Sequence, residues 1–144
     1  MSRLEIQFQS LFCLVGFLLS SVLMQAQLAV TVSPPKVVGQ KAVVELKMTN
    51  SLPEKIESAR AVCFLLDEQG KMAGQATKWV IGGTKNQVAL EPKGETTFNF
   101  VITSSQPFAT TNLTAKVSFS RLILDGGKLA NVAENVSVTA PPQN

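Results

Sequence analysis

Chemistry needs particular side chains, and this chain of 144 residues supplies few of them. It contains no histidine, which removes the commonest general base and the commonest metal ligand together. A Ser-His-Asp triad, a Cys-His pair and a His-bearing zinc site are excluded on that ground. The carboxylates that fall close together are Glu54 with Glu57, Asp67 with Glu68, and Glu91 with Glu95. Each group lies in or beside a turn signal with lysines near it, a setting for solvated carboxylates rather than a general acid and base. Segment 67–71 (Asp-Glu-Gln-Gly-Lys) begins like a calcium loop, but Gln69 and Lys71 stand where oxygen-rich acidic ligands belong. A β-turn in which the Asp67 side chain bonds its own backbone is the expectation. Segment 82–85 (Gly-Gly-Thr-Lys) lacks the spacing that lets successive N–H groups wrap a phosphate, so it reads as a hairpin loop. No catalytic, metal or cofactor site follows from these residues, and the chain reads as a non-enzyme.

Two further groups bear on modification. Asn112-Leu113-Thr114 and Asn135-Val136-Ser137 fit the glycosylation acceptor pattern, which makes Asn112 and Asn135 acceptors only in a host that glycosylates exported chains. The cysteines are Cys13, inside an apolar run, and Cys63, between Val62 and Phe64. Cys63 reads as a small buried hydrophobe.

The apolar run occupies residues 11–24 (LFCLVGFLLSSVLM). It is shorter than the roughly 20 residues of a membrane-spanning helix and is followed by Gln25-Ala26-Gln27. Residues 1–26 therefore read as a secretory signal peptide cut after Ala26, with an uncleaved anchor as the other possibility. Cys13 has no apolar run ahead of it, so it does not read as a lipoprotein cysteine. Export to the periplasm or the cell exterior is expected. The remaining 118 residues keep the net charge of +3, because Arg3 and Glu5 leave together. With only Cys63 left, no internal disulfide can form and packing must hold the fold. The lysines are scattered singly without interleaved aromatics, which suits solubility and not nucleic acid.

The rest of the chain alternates. In 41–49 (KAVVELKMT), Ala42, Val44, Leu46 and Met48 share one face. In 95–103, Phe98, Phe100 and Ile102 do so, and in 112–120 the set is Leu113, Ala115, Val117 and Phe119. Period two marks half-buried strands of a sheet with one wet face. Weaker strands are expected at 28–33, 72–81, 88–90 and 129–139, with turns at the Gly, Pro, Asn and Asp clusters between them, among them a hairpin turn at Asp125-Gly126. About seven short strands at this spacing predict an all-β sandwich over 27–140, followed by a loose tail at 141–144.

Segment 51–70 carries a conflict. Ser51-Leu52-Pro53-Glu54 looks like a capping box with proline in the first turn of a helix, and Gly70 could end it. Against that, 62–66 is five apolar residues in a row, which on a helix would need burial on every side. Read as a core strand, it turns Ala59, Ala61, Cys63 and Leu65 inward. Val62, Phe64 and Leu66 then point outward, with Phe64 open to cover by the segment around Trp79. If Leu122 and Leu124 continue the outward register of Ser118 and Ser120, the two strands share an apolar patch, and Val62, Phe64, Leu66, Trp79, Leu122 and Leu124 become candidates for partner binding. The competing reading places a bulge near Ser120, which flips the register and sends Leu122 and Leu124 into the core.

In the middle of the chain, Thr49-Asn50 close one strand, Cys63-Phe64-Leu65-Leu66-Asp67 end the next, Gly70-Lys71 stand in the turn, and Leu90-Glu91-Pro92-Lys93-Gly94-Glu95 precede Phe98. In these residues the chain resembles the FxLYD-type domain. Leu65 and Asp67 match the name motif; Cys63 stands where Phe is usual, Leu66 where Tyr is usual, and Lys93 is an insertion. Across about residues 40–103 the resemblance implies a small immunoglobulin-like antiparallel sandwich of exported or membrane-attached prokaryotic proteins, used as a binding or spacer module. The functional expectation is an exported, non-catalytic binding or assembly module whose partner is another exported protein or a cell-envelope component. Membrane contact is expected only through an uncleaved leader. The alternative is a secreted small-ligand carrier, with a cavity of roughly 300 Å³ or more between the sheets near Trp79, Phe98, Phe100 and Phe119.

Overall fold

A computed structural model describes residues 26–140. The leader assigned to 1–26 lies, but for Ala26, outside the described residues, as do Cys13 and the tail assigned to 141–144. The described chain is all-β, in two layers. In chain order its strands are β1 (Leu28–Val32), β2 (Lys36–Val38), β3 (Lys41–Asn50), β4 (Ile56–Leu66), β5 (Met72–Ile81), β6 (Glu95–Thr103), β7 (Thr114–Leu124), β8 (Lys128–Leu129) and β9 (Val136–Thr139), with one helical turn, α1 (Val132–Asn135), between the last two. One sheet centres on β3, which pairs with β6 on one side and with β1 and β2 on the other, β9 completing it beyond β1. The other sheet runs β5-β4-β7-β8.

The three alternating segments form β3, β6 and β7. On β3 the inward set Ala42, Val44, Leu46 and Met48 is buried while Lys41 and Lys47 face water. In 56–66 the apolar run forms a strand and not a helix. Ala59, Ala61, Cys63 and Leu65 are fully buried, because the inner faces of both sheets meet there and a helix would have left half of the run in water. Segment 51–55, where helix signals were strongest, is a tight crossing between the layers.

Three strand expectations are corrected. Segment 88–90 makes only an isolated bridge from Leu90 to Ile56. Segment 129–139 is not one strand: Asn131 caps α1, its side chain accepting from the Glu134 N–H at 3.3 Å, and the chain passes from β7's sheet to the other layer. There β9 runs parallel to β1, so the sandwich is not wholly antiparallel. The β7–β8 hairpin does form at Asp125-Gly126, but through a three-residue loop, Asp125–Gly127, in which Gly126 and Gly127 both hold positive φ. Unforeseen in the sequence, β2 continues the line of β1 along β3 after Pro34-Pro35 interrupts the ladder.

Candidate functional site

The pairing of β4 with its two neighbours decides which side chains reach solvent. From Leu66 back to Ala61, β4 and β7 pair regularly, Ala61 opposite Phe119. The next pair is Arg60 with Arg121, so Ser120 is an extra residue on β7. This bulge changes the phase of β7. Leu122 and Leu124 turn inward and are 0% and 5% exposed, and Arg121 turns outward. The partner-binding reading of Leu122 and Leu124 is thus corrected: both belong to the core. The cause is steric and electrostatic, since unbroken alternation would have driven the Arg121 guanidinium into the apolar interior. The Ser120 hydroxyl, freed by the bulge, donates to the Arg60 carbonyl at 3.3 Å. A second bulge, with Val80 as the extra residue on β5, lets Val80 and Ile81 both join the core.

The outward face of the β5-β4-β7-β8 sheet can therefore be read row by row. Arg60 lies between Trp79 and Arg121, Val62 between Thr77 and Ser118, Phe64 between Gln75 and Lys116, and Leu66 between Met72 and Thr114. At the other end, beyond the Arg60–Arg121 row, Ile123 stands beside Leu129. Val62, Phe64 and Leu66 are half-buried by these neighbours and take no part in the core cluster. At the margins Met72 is 53% and Leu129 70% exposed. Trp79 stands two rungs away from Phe64 and does not cover it. Of the six candidate residues, the structure brings Val62, Phe64, Leu66 and Trp79 together. The alternation reading missed Arg60, Lys116, Arg121, Met72 and Ile123.

Trp79 is held in place. Segment 82–87 folds back so that a Cβ on Gly83, itself at φ +78°, would overlap the indole ring. The Gln87 amide donates to the Trp79 carbonyl at 2.7 Å, and the Arg60 guanidinium carbon lies 5.9 Å from the ring centroid, within cation–π range. Gly82, at φ +52°, passes so close to the Glu57 carbonyl that only glycine fits.

The remaining candidates sit in structural roles. Asp67 accepts from the Gln69 and Lys71 N–H groups at 3.0 and 2.9 Å, the turn its sequence implies. Glu54 takes both its bonds from the Lys128 ammonium, at 2.7 and 2.8 Å, and Glu57 accepts from the Gly126 N–H. Among the described residues no three Cys, Asp or Glu side chains gather as a metal ion would require. Asn112 is exposed in the loop before β7; Asn135 ends α1, its amide donating to the Asn131 carbonyl at 2.7 Å. Cys63 is fully buried, and desolvation pushes its thiol up to about 11, so it is a poor nucleophile at neutral pH.

Of the aromatic residues expected around an inter-sheet cavity, Phe100 and Phe119 are packed in the core. Trp79 and Phe98 line a cleft of about 290 Å³ with Arg60, Thr77 and Gln87. A larger hollow of about 470 Å³ lies between the 82–91 loop and the start of β6. Both lie at the side of the sandwich where β5 and β6 part. Comparison with protein-family models, curated proteins and solved structures found no significant match. Among the described residues no helix is long and apolar enough to cross a membrane.

Proposed function

We propose that this chain is an exported, non-catalytic binding or assembly module, and that it docks another exported protein or cell-envelope component on the outward face of the β5-β4-β7-β8 sheet. The observation that carries the reading is the line of Val62, Phe64 and Leu66 down the central strand of that face, outside the core cluster. A two-layer sandwich ordinarily fills such positions with polar residues, and grouped apolar side chains on a wet face mark partner sites. The immunoglobulin-like type, implied by the resemblance to FxLYD-type domains, is supported by the layering: β1, β3 and β6 in one sheet, β5, β4 and β7 in the other, and the last strands passing between the layers. Export rests on the apolar run at 11–24.

The test is a double substitution, Val62→Thr with Phe64→Thr, which keeps β propensity while removing the apolar line. Cross-linking in the exported fraction should lose the partner recovered with the unaltered protein, while stability falls by only about 1 kcal/mol, roughly 5 °C in Tm. Full retention of the partner would overturn the reading. So would a collapse of the fold, which would assign both residues to the core.

A further inference from the structure

We propose that the row Arg121–Arg60–Trp79 is the recognition point of this face and that the partner is an acidic protein segment, presenting carboxylates to the two guanidinium groups and apolar side chains to Val62 and Phe64. This rests on the reading of the face as a docking surface and adds the chemistry of what docks. Three observations converge on it.

The first is composition in space. The chain has three arginines and one tryptophan; Arg3 lies outside the described residues, and the other two arginines and Trp79 form a single cross-strand row. The ten lysines are spread through the chain. Tryptophan and arginine are the residue types that dominate the energetics of protein interfaces. The second is electrostatic. Arg60 and Arg121 stand directly opposite each other, an arrangement that repels. The two ion pairs among the described residues, Lys55 with Asp125 and Lys128 with Glu54, involve neither of them. The strand positions from Arg60 to Leu66, and those opposite them on β5 and β7, hold no Asp or Glu, while Lys116 adds a third cation. A carboxylate accepting from both guanidiniums turns that repulsion into two forked, charge-assisted hydrogen bonds. The third is preorganisation. The extra residue Ser120 places Arg121 in the row, and the Gly83 backbone with the Gln87 side chain fixes Trp79 before any partner arrives, which lowers the entropy lost on binding.

The same observations disfavour two other occupants. A second copy docking face to face would set Arg60, Arg121 and Lys116 against the same cations with no carboxylate between them. A lipid surface is ordinarily held by clusters of about four to eight basic residues, whereas the outward rows from Arg60 to Leu66 hold three, Arg60, Arg121 and Lys116.

Because Trp79 is the chain's single tryptophan, its emission reports on the row directly. The full chain would be titrated with an extended peptide alternating Glu with Val, with its Gln counterpart, and with phosphatidylglycerol vesicles. The Glu peptide is expected to shift Trp79 emission saturably and less strongly as salt is raised, and the Gln peptide is not. Arg60→Gln with Arg121→Gln should weaken binding about tenfold or more with little change in Tm, since relief of the like-charge pair offsets loss of the Arg60–Trp79 cation–π contact. Arg60→Lys with Arg121→Lys, which keeps the charge but not the fork, should fall between. Equal response to the Glu and Gln peptides, undiminished binding by the Gln variant, or a response to vesicles alone would each overturn the inference. If the Glu peptide fails while Val62→Thr with Phe64→Thr still loses the cross-linked partner, the docking face stands and only the acidic partner falls.

Discussion

Replacing Asn50 by Asp is expected to destabilise the protein by about 4 kcal/mol and lower Tm by roughly 15 °C. Asn50 ends β3 and is fully buried. Its amide nitrogen donates to the carbonyls of Glu54 and Leu90, at 3.0 and 3.1 Å, and its oxygen accepts from the Leu52 N–H at 3.0 Å. The backbone adds two more bonds, Asn50 N–H to the Gly94 carbonyl and Lys93 N–H to the Asn50 carbonyl. One side chain thus ties the crossing at 51–55 to the 90–94 loop. An aspartate has the same shape but no donor. It would face two carbonyls with a buried negative charge, a loss of two hydrogen bonds compounded by desolvation. Asn50→Ala, which leaves the same groups unpaired without adding charge, should cost about 3 kcal/mol. Urea unfolding measures both: the midpoint should fall with little change of slope, and a loss below about 1 kcal/mol for the Asp variant would remove Asn50 from this role.

The second large effect is alkaline. Burial raises the Cys63 thiol from 9.0 to about 11, so the folded state resists ionisation that the unfolded chain undergoes more readily. Below pH 9 both states are protonated and the contribution is whole. As pH rises toward 11 the unfolded state loses its proton first, and stability falls. By the upper end about 2 kcal/mol has gone. Lysines titrate in the same window, so the measurement is the difference between the unaltered protein and Cys63→Ala, whose profile lacks this slope. Parallel profiles from pH 8 to 11, within about 0.5 kcal/mol, would mean that the thiol is not held out of water.

Much of the fold was legible because its signal is local. Alternation within 41–49 and 95–103 needs only adjacent residues, and β3 and β6 follow it. The strand reading of 56–66 rested on five apolar residues that only an inner face could take, and β4 buries the four positions named for it. What escaped depended on the rest of the molecule. Segment 129–139 looked continuous, although Asn131 with Glu134 three residues on was an available capping signal. The three residues of β2 are too few to show a period. Asn50 was visible as a residue that closes a strand; its bonds to Leu90 and Gly94 are made across the fold. On the candidate face, Val62, Phe64, Leu66 and Trp79 could be read from alternation. The meeting of Arg60 with Arg121 could not, because it joins distant strands and turns on one extra residue at Ser120.

That residue is also where the interpretation is most exposed. Backbone nuclear Overhauser contacts in the isotopically labelled protein would report the β4–β7 register directly. Arg60 should lie opposite Arg121 and Ala61 opposite Phe119, with Ser120 facing no residue of its own and the Leu122 and Leu124 methyl groups in contact with the core. Arg60 opposite Ser120, with Arg121 opposite Ala59, would return both leucines to the surface, bury a guanidinium, and dissolve the cationic row on which the proposed docking face depends.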